Sequence, residues 1–261
     1  MDVAIPSSAA GRAEYVERAL RGGYPEAVRR QDLGRRARFF EAYVADLINR
    51  DVRQVSEIAR PADLRRLLNL LAAQASTLVM PTSAGNALNV PATTVKRYID
   101  LLEALYLVRR IPAWWSILTQ RAVATPKMIF VDSGLAGHLA GPSVRRALGA
   151  TALVGPLVEN FVLGELARQI SWTEAPIRLY HYRDRDNYEV DAILEHASGD
   201  VVAIGVKAAQ TVRSEDFRGI QRLARRLGDR LIAGIVLYSG GEALPFGDRL
   251  RAWPISALWT V

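Results

Sequence analysis

The chain has no cysteine among its 261 residues. That excludes disulfides, thiolate nucleophiles and cysteine-based zinc sites. Its three histidines, His138, His181 and His196, lack metal spacing such as H-E-x-x-H, and each reads as a packing or surface residue. Lysine is equally scarce. Lys96, Lys127 and Lys207 stand among 34 basic residues that are otherwise arginine, so each lysine raises the question of what it does where it is. No glycine is followed by lysine, so the G-x-x-x-x-G-K-[ST] phosphate loop is missing and no bound nucleotide is expected. No run of 18 apolar residues occurs, which predicts no spanning helix and no membrane partner. The opening MDVAIPSSAAGRAEYVERAL lacks the apolar core of a signal peptide, and a cytoplasmic location is expected.

Half the residues are hydrophobic, enough to build one large or two modest cores. The net charge of +7 is unevenly spread: residues 1–125 hold 18 basic and 12 acidic residues, residues 126–261 hold 16 and 15. A basic first half suits contact with nucleic acid, although an arginine-rich proteome could produce the same balance. Residues 10–110 read mainly as helices, with apolar residues at helical spacing over 35–52 and a proline-led leucine pattern over 61–76. Residues 82–115 predict a short helix near Ala84–Leu88, a turn at Asn89-Val90, a longer helix over 91–104 and an extended wing. That outline is a winged helix-turn-helix. Thr93, Thr94, Lys96 and Arg97 would then stand where such helices reach bases and phosphates. The plainer alternative is a helical packing unit that touches no DNA.

The second half alternates. A strand and a helix are expected over 125–141, a linker over 142–153 and a helix over 155–170. Strands follow at 177–184, 188–196 and 201–208, then a helix at 214–228 capped by Ser214, a strand at 230–240 and a closing segment at 249–259. The fold class is α/β, with domains drawn at 1–125 and 126–261, the second a mixed sheet flanked by helices.

Three residues in that order carry chemistry. Glu159 lies on the first helix, Asp191 within the apolar strand EVDAIL, and Lys207 at the end of VVAIGVK. A carboxylate in an apolar strand needs a partner. Hydrolysis of a phosphodiester with Mg²⁺ needs carboxylate oxygens for the metal and a cation near the scissile phosphate. Helix Glu, strand Asp and Glu-x-Lys form the pattern of the PD-(D/E)xK nucleases.

GPLVENFVLGEL, NYEVDAILE, VVAIGVKAA, GIVLYSGGE and PISALW, together with GGYPEAV, AYVADLINRDV, TTVKRYIDLLEALYLV and PKMIFVDSGLAGHL, extend the likeness to nearly the whole chain. The sequence resembles the C-terminal part of bacterial and archaeal AAA-type ATP-binding proteins, a winged-helix region followed by a nuclease-like module. The resemblance implies a restriction-endonuclease-like fold for the second domain, a metal site on Glu159 and Asp191, and Lys207 as the residue that orients water or stabilises charge. It also implies an ATPase domain or subunit as partner. The family's remaining carboxylate falls on Gly205, a departure that leaves the site one ligand short. Glu189, on the same strand face as Asp191, is the best substitute; Glu165 and Glu195 are others. Gln221 sits where relatives place a polar residue near the site.

The expectation is a DNA-binding, nuclease-like protein whose site for Mg²⁺, or Mn²⁺, has low occupancy and whose cleavage is weak or lost. The alternative is a non-catalytic module that regulates an ATPase or serves a toxin–antitoxin or defence system. Bland readings stand beside these: Glu159, Glu165 and Gln221 as exposed helix residues, Asp191 bridged to Arg183 or Arg185, Lys207 as a solvated strand end. Trp114, Trp115, Trp253 and Trp259 read as packing residues.

Overall fold

The computed structural model describes residues 7–51, 60–114, 125–141 and 151–259, the side chains of Asp51 and 151–153 excepted. The fold is α/β, a helical first part and a six-stranded mixed sheet flanked by helices. The described residues group into two compact units that interleave along the chain. One draws on Glu17–Arg110 and Met128–Phe161, the other on Met1–Val16, Ile111–Lys127 and Val162–Val261.

The helical unit contains α1 (Arg12–Arg21, which starts in the other unit), α2 (Pro25–Arg29), α3 (Leu33–Asp46) and α4 (Pro61–Ala73). Asp32 starts α3 by accepting from the Arg35 N–H at 2.8 Å, and a π turn over Leu47–Asp51 ends it. Pro61 opens α4, where the missing N–H costs nothing, and Leu64, Leu67, Leu68 and Leu71 turn one face into the core. Strand β1 (Thr77–Leu78) follows. Then come α5 (Pro81–Leu88), a tight turn at Asn89 in the left-handed conformation, α6 (Ala92–Ala104) and β2 (Val108–Ile111). Gly85 makes that turn possible: a Cβ there would stand 2.6 Å from the Val90 carbonyl oxygen. Strand β3 (Lys127–Phe130) completes a small sheet in the order β1-β3-β2, and α7 (Ser133–Leu139) follows.

Two family-like segments prove to be parts of one lock. The Asp132 carboxylate accepts from Gly23 N–H at 2.6 Å, Tyr24 N–H at 3.2 Å and Leu135 N–H at 2.8 Å. Gly22, at φ 73°, has no room for a side chain because Asp132 fills it, and a Cβ on Gly134 would stand 2.7 Å from the Arg21 carbonyl. GGYP and VDSG therefore hold each other through backbone contact. Asn160, on α8 (Thr151–Trp172), acts similarly on β3: its Oδ1 accepts from Phe130 N–H at 2.7 Å and its Nδ2 donates to the Phe130 carbonyl at 3.0 Å.

The other unit is built on β4 (Ile177–Arg183), β5 (Glu189–His196), β6 (Val201–Lys207), β7 (Leu231–Tyr238), β8 (Leu244–Gly247) and β9 (Leu250–Pro254), in the order β4-β5-β6-β7-β9-β8. The β6–β7 and β7–β9 pairings are parallel and the rest antiparallel. Helix α9 (Arg218–Leu227) packs Ile220 and Leu223 into the cluster with Ile193, Ala203 and Val236. The β4–β5 turn is fixed by Asp184, which accepts from the N–H groups of Asp186 and Tyr188 at 3.0 Å each and from Arg222 at 2.6 Å.

Two local expectations differ from what is found. Ser214 does not cap the helix before β7. A 3₁₀ turn over Ser214–Phe217 precedes α9, and the Asp216 carboxylate accepts the Arg213 N–H at 2.9 Å instead. Strand β8 was not foreseen, because its four residues include Pro245 and Gly247, both of which weaken a strand pattern. The expected linker lies largely outside the described residues.

Asn160→Leu keeps the volume and removes both bonds to Phe130. Leaving a buried N–H and C=O unpaired should cost about 2–4 kcal/mol in a denaturation experiment. A loss under about 0.5 kcal/mol would show that β3 does not depend on this side chain.

Candidate functional site

The candidate site begins with strand β5. Tyr180 pairs with Ile193 but Tyr182 pairs with Val190, so β5 spends one residue more than β4 between those points. Asp191 lies in that bulge, a device that re-aims a side chain out of a regular ladder. Gly219 lets α9 come against the start of the strand, since a Cβ there would collide with the Glu189 carbonyl oxygen.

Lys127, the first residue of β3, reaches this point. Its side chain is completely buried, and its Nζ lies 2.8 Å from Glu189 Oε1 and 3.2 Å from Asp191 Oδ1. The other Asp191 oxygen accepts from the Val206 N–H at 2.8 Å. The Arg183 guanidinium stands 4.0 Å from Glu189 Oε2. One ammonium thus joins two carboxylates, and both oxygens of Asp191 are engaged.

His181 lies beside this cluster and is fully buried. Its Nε2 lies 3.0 Å from the Thr125 carbonyl oxygen, which fixes Nε2 as the protonated nitrogen. Among the described residues Nδ1 has no hydrogen-bond partner. Burial lowers the imidazole pKa to about 4, and the charge of Lys127 adds to the shift; the Thr125 carbonyl, Glu189 and Asp191 oppose it. The ring is neutral at physiological pH.

The expected residues divide among several places. Glu189, the favoured substitute carboxylate, does stand beside Asp191. Glu195 instead pairs with Arg230 at 3.1 Å, and Glu165 is buried against Arg168 at 2.5 Å. Lys207 turns to Asp216 at 3.0 Å and is 45% exposed. Glu159 is half-buried on α8 and belongs to the helical unit. Gln221 lines an open depression of about 570 Å³ with Arg225, Asp229 and Arg249. At Gly205 a Cβ would meet Val236 at 3.5 Å and Ile220 at 4.0 Å, ordinary contact, and φ there is not positive. Nothing in the backbone demands glycine, and a side chain at 205 would begin among apolar neighbours.

A divalent ion does not fit this donor set. Mg²⁺ requires near-octahedral oxygens at about 2.0–2.1 Å. The inward oxygens of Glu189 and Asp191 are occupied by the Lys127 ammonium, and residue 205 supplies none. Among the described residues no three acidic or histidine side chains converge as a metal centre needs.

In the helical unit the first two turns of α6 carry Thr93, Lys96 and Arg97 exposed, with Thr94 half-buried. Among the described residues neither Lys96 nor Arg97 makes an ion pair. Trp114 is buried, 6.4 Å from the Tyr182 ring; Trp253 is half-buried, Trp259 exposed, and Trp115 lies outside the described residues. The residue missed by sequence reasoning is Lys127. Its signals were its rarity as a lysine and its position in the segment PKMIFVDSGLAGHL.

Comparison with known proteins gives two family matches. The model described as a domain of unknown function (DUF8612) matches residues 12–146, and that described as a domain of unknown function (DUF4143) matches residues 154–258. Uncharacterised proteins of Mycobacterium bovis and Mycobacterium tuberculosis are each 28% identical over 271 residues. Each alignment covers 97% of this chain and 59% of the relative, so the chain spans about three fifths of the length of the curated relatives it matches. No solved structure matches the chain.

The neutral His181 makes stability depend on pH. The unfolded chain protonates an imidazole near pH 6.5 and the folded chain only near pH 4, so between these values the unfolded state binds more protons. The contribution is complete above pH 6.5 and falls as pH drops towards 4, by about 3 kcal/mol in all. Denaturant titrations at pH 7 and pH 4.5 should show this loss, and His181→Phe should reduce it. An equal pH dependence in the variant would contradict the assignment.

Proposed function

The chain belongs to the family described as a domain of unknown function, DUF8612, and on that premise we propose that it is a DNA-binding protein with a nuclease-like module whose metal-dependent cleavage has been lost. The observation that carries the reading is the exposed face of the first two turns of α6. After the left-handed Asn89, this helix presents Thr93, Lys96 and Arg97 to solvent, and among the described residues no carboxylate pairs with either cation. The second helix of a helix-turn-helix reaches DNA through these positions. The strands before and after the helix pair are consistent with a winged form, and the charge excess of residues 1–125 favours phosphate contact.

The sheet unit supports the second half of the proposal. Helix, three antiparallel strands, helix and a parallel strand follow the order that the nuclease resemblance implies. The lysine of Glu-x-Lys is paired with Asp216, its glutamate is Gly205, and the strand aspartate is held by Lys127. Such a module binds or positions nucleic acid through its own cations without a metal-activated water. The protein partner that the resemblance implies is an ATPase, as a further domain or a separate chain.

Duplex DNA binding should weaken steeply as salt rises from 50 to 200 mM, measured by fluorescence anisotropy. The Lys96→Ala/Arg97→Ala pair should cut affinity about tenfold and lower the slope of log K against log[salt] by about 2. No cleavage should accompany binding in Mg²⁺ or Mn²⁺. Absence of binding at low salt would defeat the proposal in favour of an interaction module that regulates an ATPase or serves a defence system.

A further inference from the structure

We propose that the Lys127 ammonium is a built-in cation that takes the position a divalent metal would hold on Glu189 and Asp191, so that removing it exposes a divalent-cation site. The proposal rests on the reading of the sheet unit as a nuclease-like module, but not on DNA binding. Two observations carry it. The first is geometric: the Nζ sits 2.8 and 3.2 Å from one oxygen of each acid, bridging them as a shared cation does, and no part of the side chain reaches solvent. The second is the fate of the other lysine. Lys207, on the strand that should supply the site's cation, is paired with Asp216 and 45% exposed, so the buried charge comes from β3 instead.

The chemistry follows from charge and size. Two partly buried carboxylates close enough to share one proton donor repel each other and need a cation. A lysine tethered to its own strand meets that need at every metal concentration. A divalent ion at the same oxygens would face both the ammonium's repulsion and the cost of expelling a buried side chain. Without the ammonium, Glu189 and Asp191 present two uncompensated negative charges, and both side chains are partly open to solvent, by 35% and 20%. Mg²⁺ or Mn²⁺ with its waters can enter there, using carboxylate oxygens of the kind these ions prefer.

The test compares thermal unfolding of the wild type, Lys127→Met and Lys127→Met/Glu189→Gln/Asp191→Asn, each in EDTA and in 10 mM MgCl₂ or MnCl₂. The expected result is a wild-type midpoint that moves by less than about 1 °C. Lys127→Met should melt lower in EDTA and gain about 3–6 °C with the divalent ion, while the triple variant should show no gain. Four results would overturn the proposal. One is a folded Lys127→Met indifferent to both ions, and another is a wild type that gains as much as the variant. The third is a Lys127→Met that fails to fold with or without metal while the triple variant folds, which would show that a divalent ion cannot replace the ammonium. The last is failure of all variants to fold, which would make Lys127 a packing residue rather than a counter-ion. DNA affinity measured on the same proteins reports on the DNA-binding reading separately.

Discussion

One buried ion pair organises the candidate site: the ammonium of Lys127 between Glu189 and Asp191. Burying a lysine costs several kcal/mol, and attraction to a single carboxylate does not reliably offset that cost. Two carboxylates, one of them also accepting a backbone N–H, make the arrangement tenable. The consequences spread outward. Asp191 is held in a strand bulge, and His181 stays neutral partly because a positive charge lies nearby. Removing the carboxylates strands a fully buried ammonium in low dielectric, whereas Glu189 and Asp191 keep part of their contact with solvent, so Lys127 is the member that depends most on the others.

Most of the fold was legible because it rests on local rules. Leucine spacing gave α4, alternation gave β5, and the apolar run VVAIGV gave a central strand with an antiparallel neighbour on one side and a parallel one on the other. A short helix, a turn at Asn89-Val90 and a longer helix were legible in residues 84–104, and in the structure Gly85 and the left-handed Asn89 let those two helices meet tightly. The interleaving of the two units was not, because it depends on which distant segments touch. The same holds for GGYP and VDSG: as strings they resemble a family, and only in three dimensions do they form a carboxylate cradle.

The site was legible in part. Asp191 drew notice as a charge in an apolar strand, and Glu189 as its neighbour two residues away, and these two do stand together. The sequence offered Arg183 or Arg185 as the partner of Asp191, and gave Lys207, on the same strand face as Gly205, a role in the chemistry instead. Lys127, 64 residues earlier in sequence, lies in a segment whose own pattern speaks only of a short strand. A long-range ion pair leaves no periodic trace. Its marks were the rarity of lysine in a chain that mostly uses arginine and the place of Lys127 in a family-like segment, and a single point of attachment to two acids suits a compact ammonium better than a wide guanidinium. The glycine at 205 likewise reads as a missing carboxylate from sequence, while the backbone around it would accept a side chain.

The central claim is that Lys127, not a metal ion, neutralises Glu189 and Asp191 in the native protein. Crystals soaked in MnCl₂ and measured at a wavelength where manganese scatters anomalously test it most directly. The account predicts the Lys127 side chain between the two carboxylates and no anomalous peak on Asp191. A manganese peak within coordination distance of Asp191, with Lys127 turned away, would contradict it.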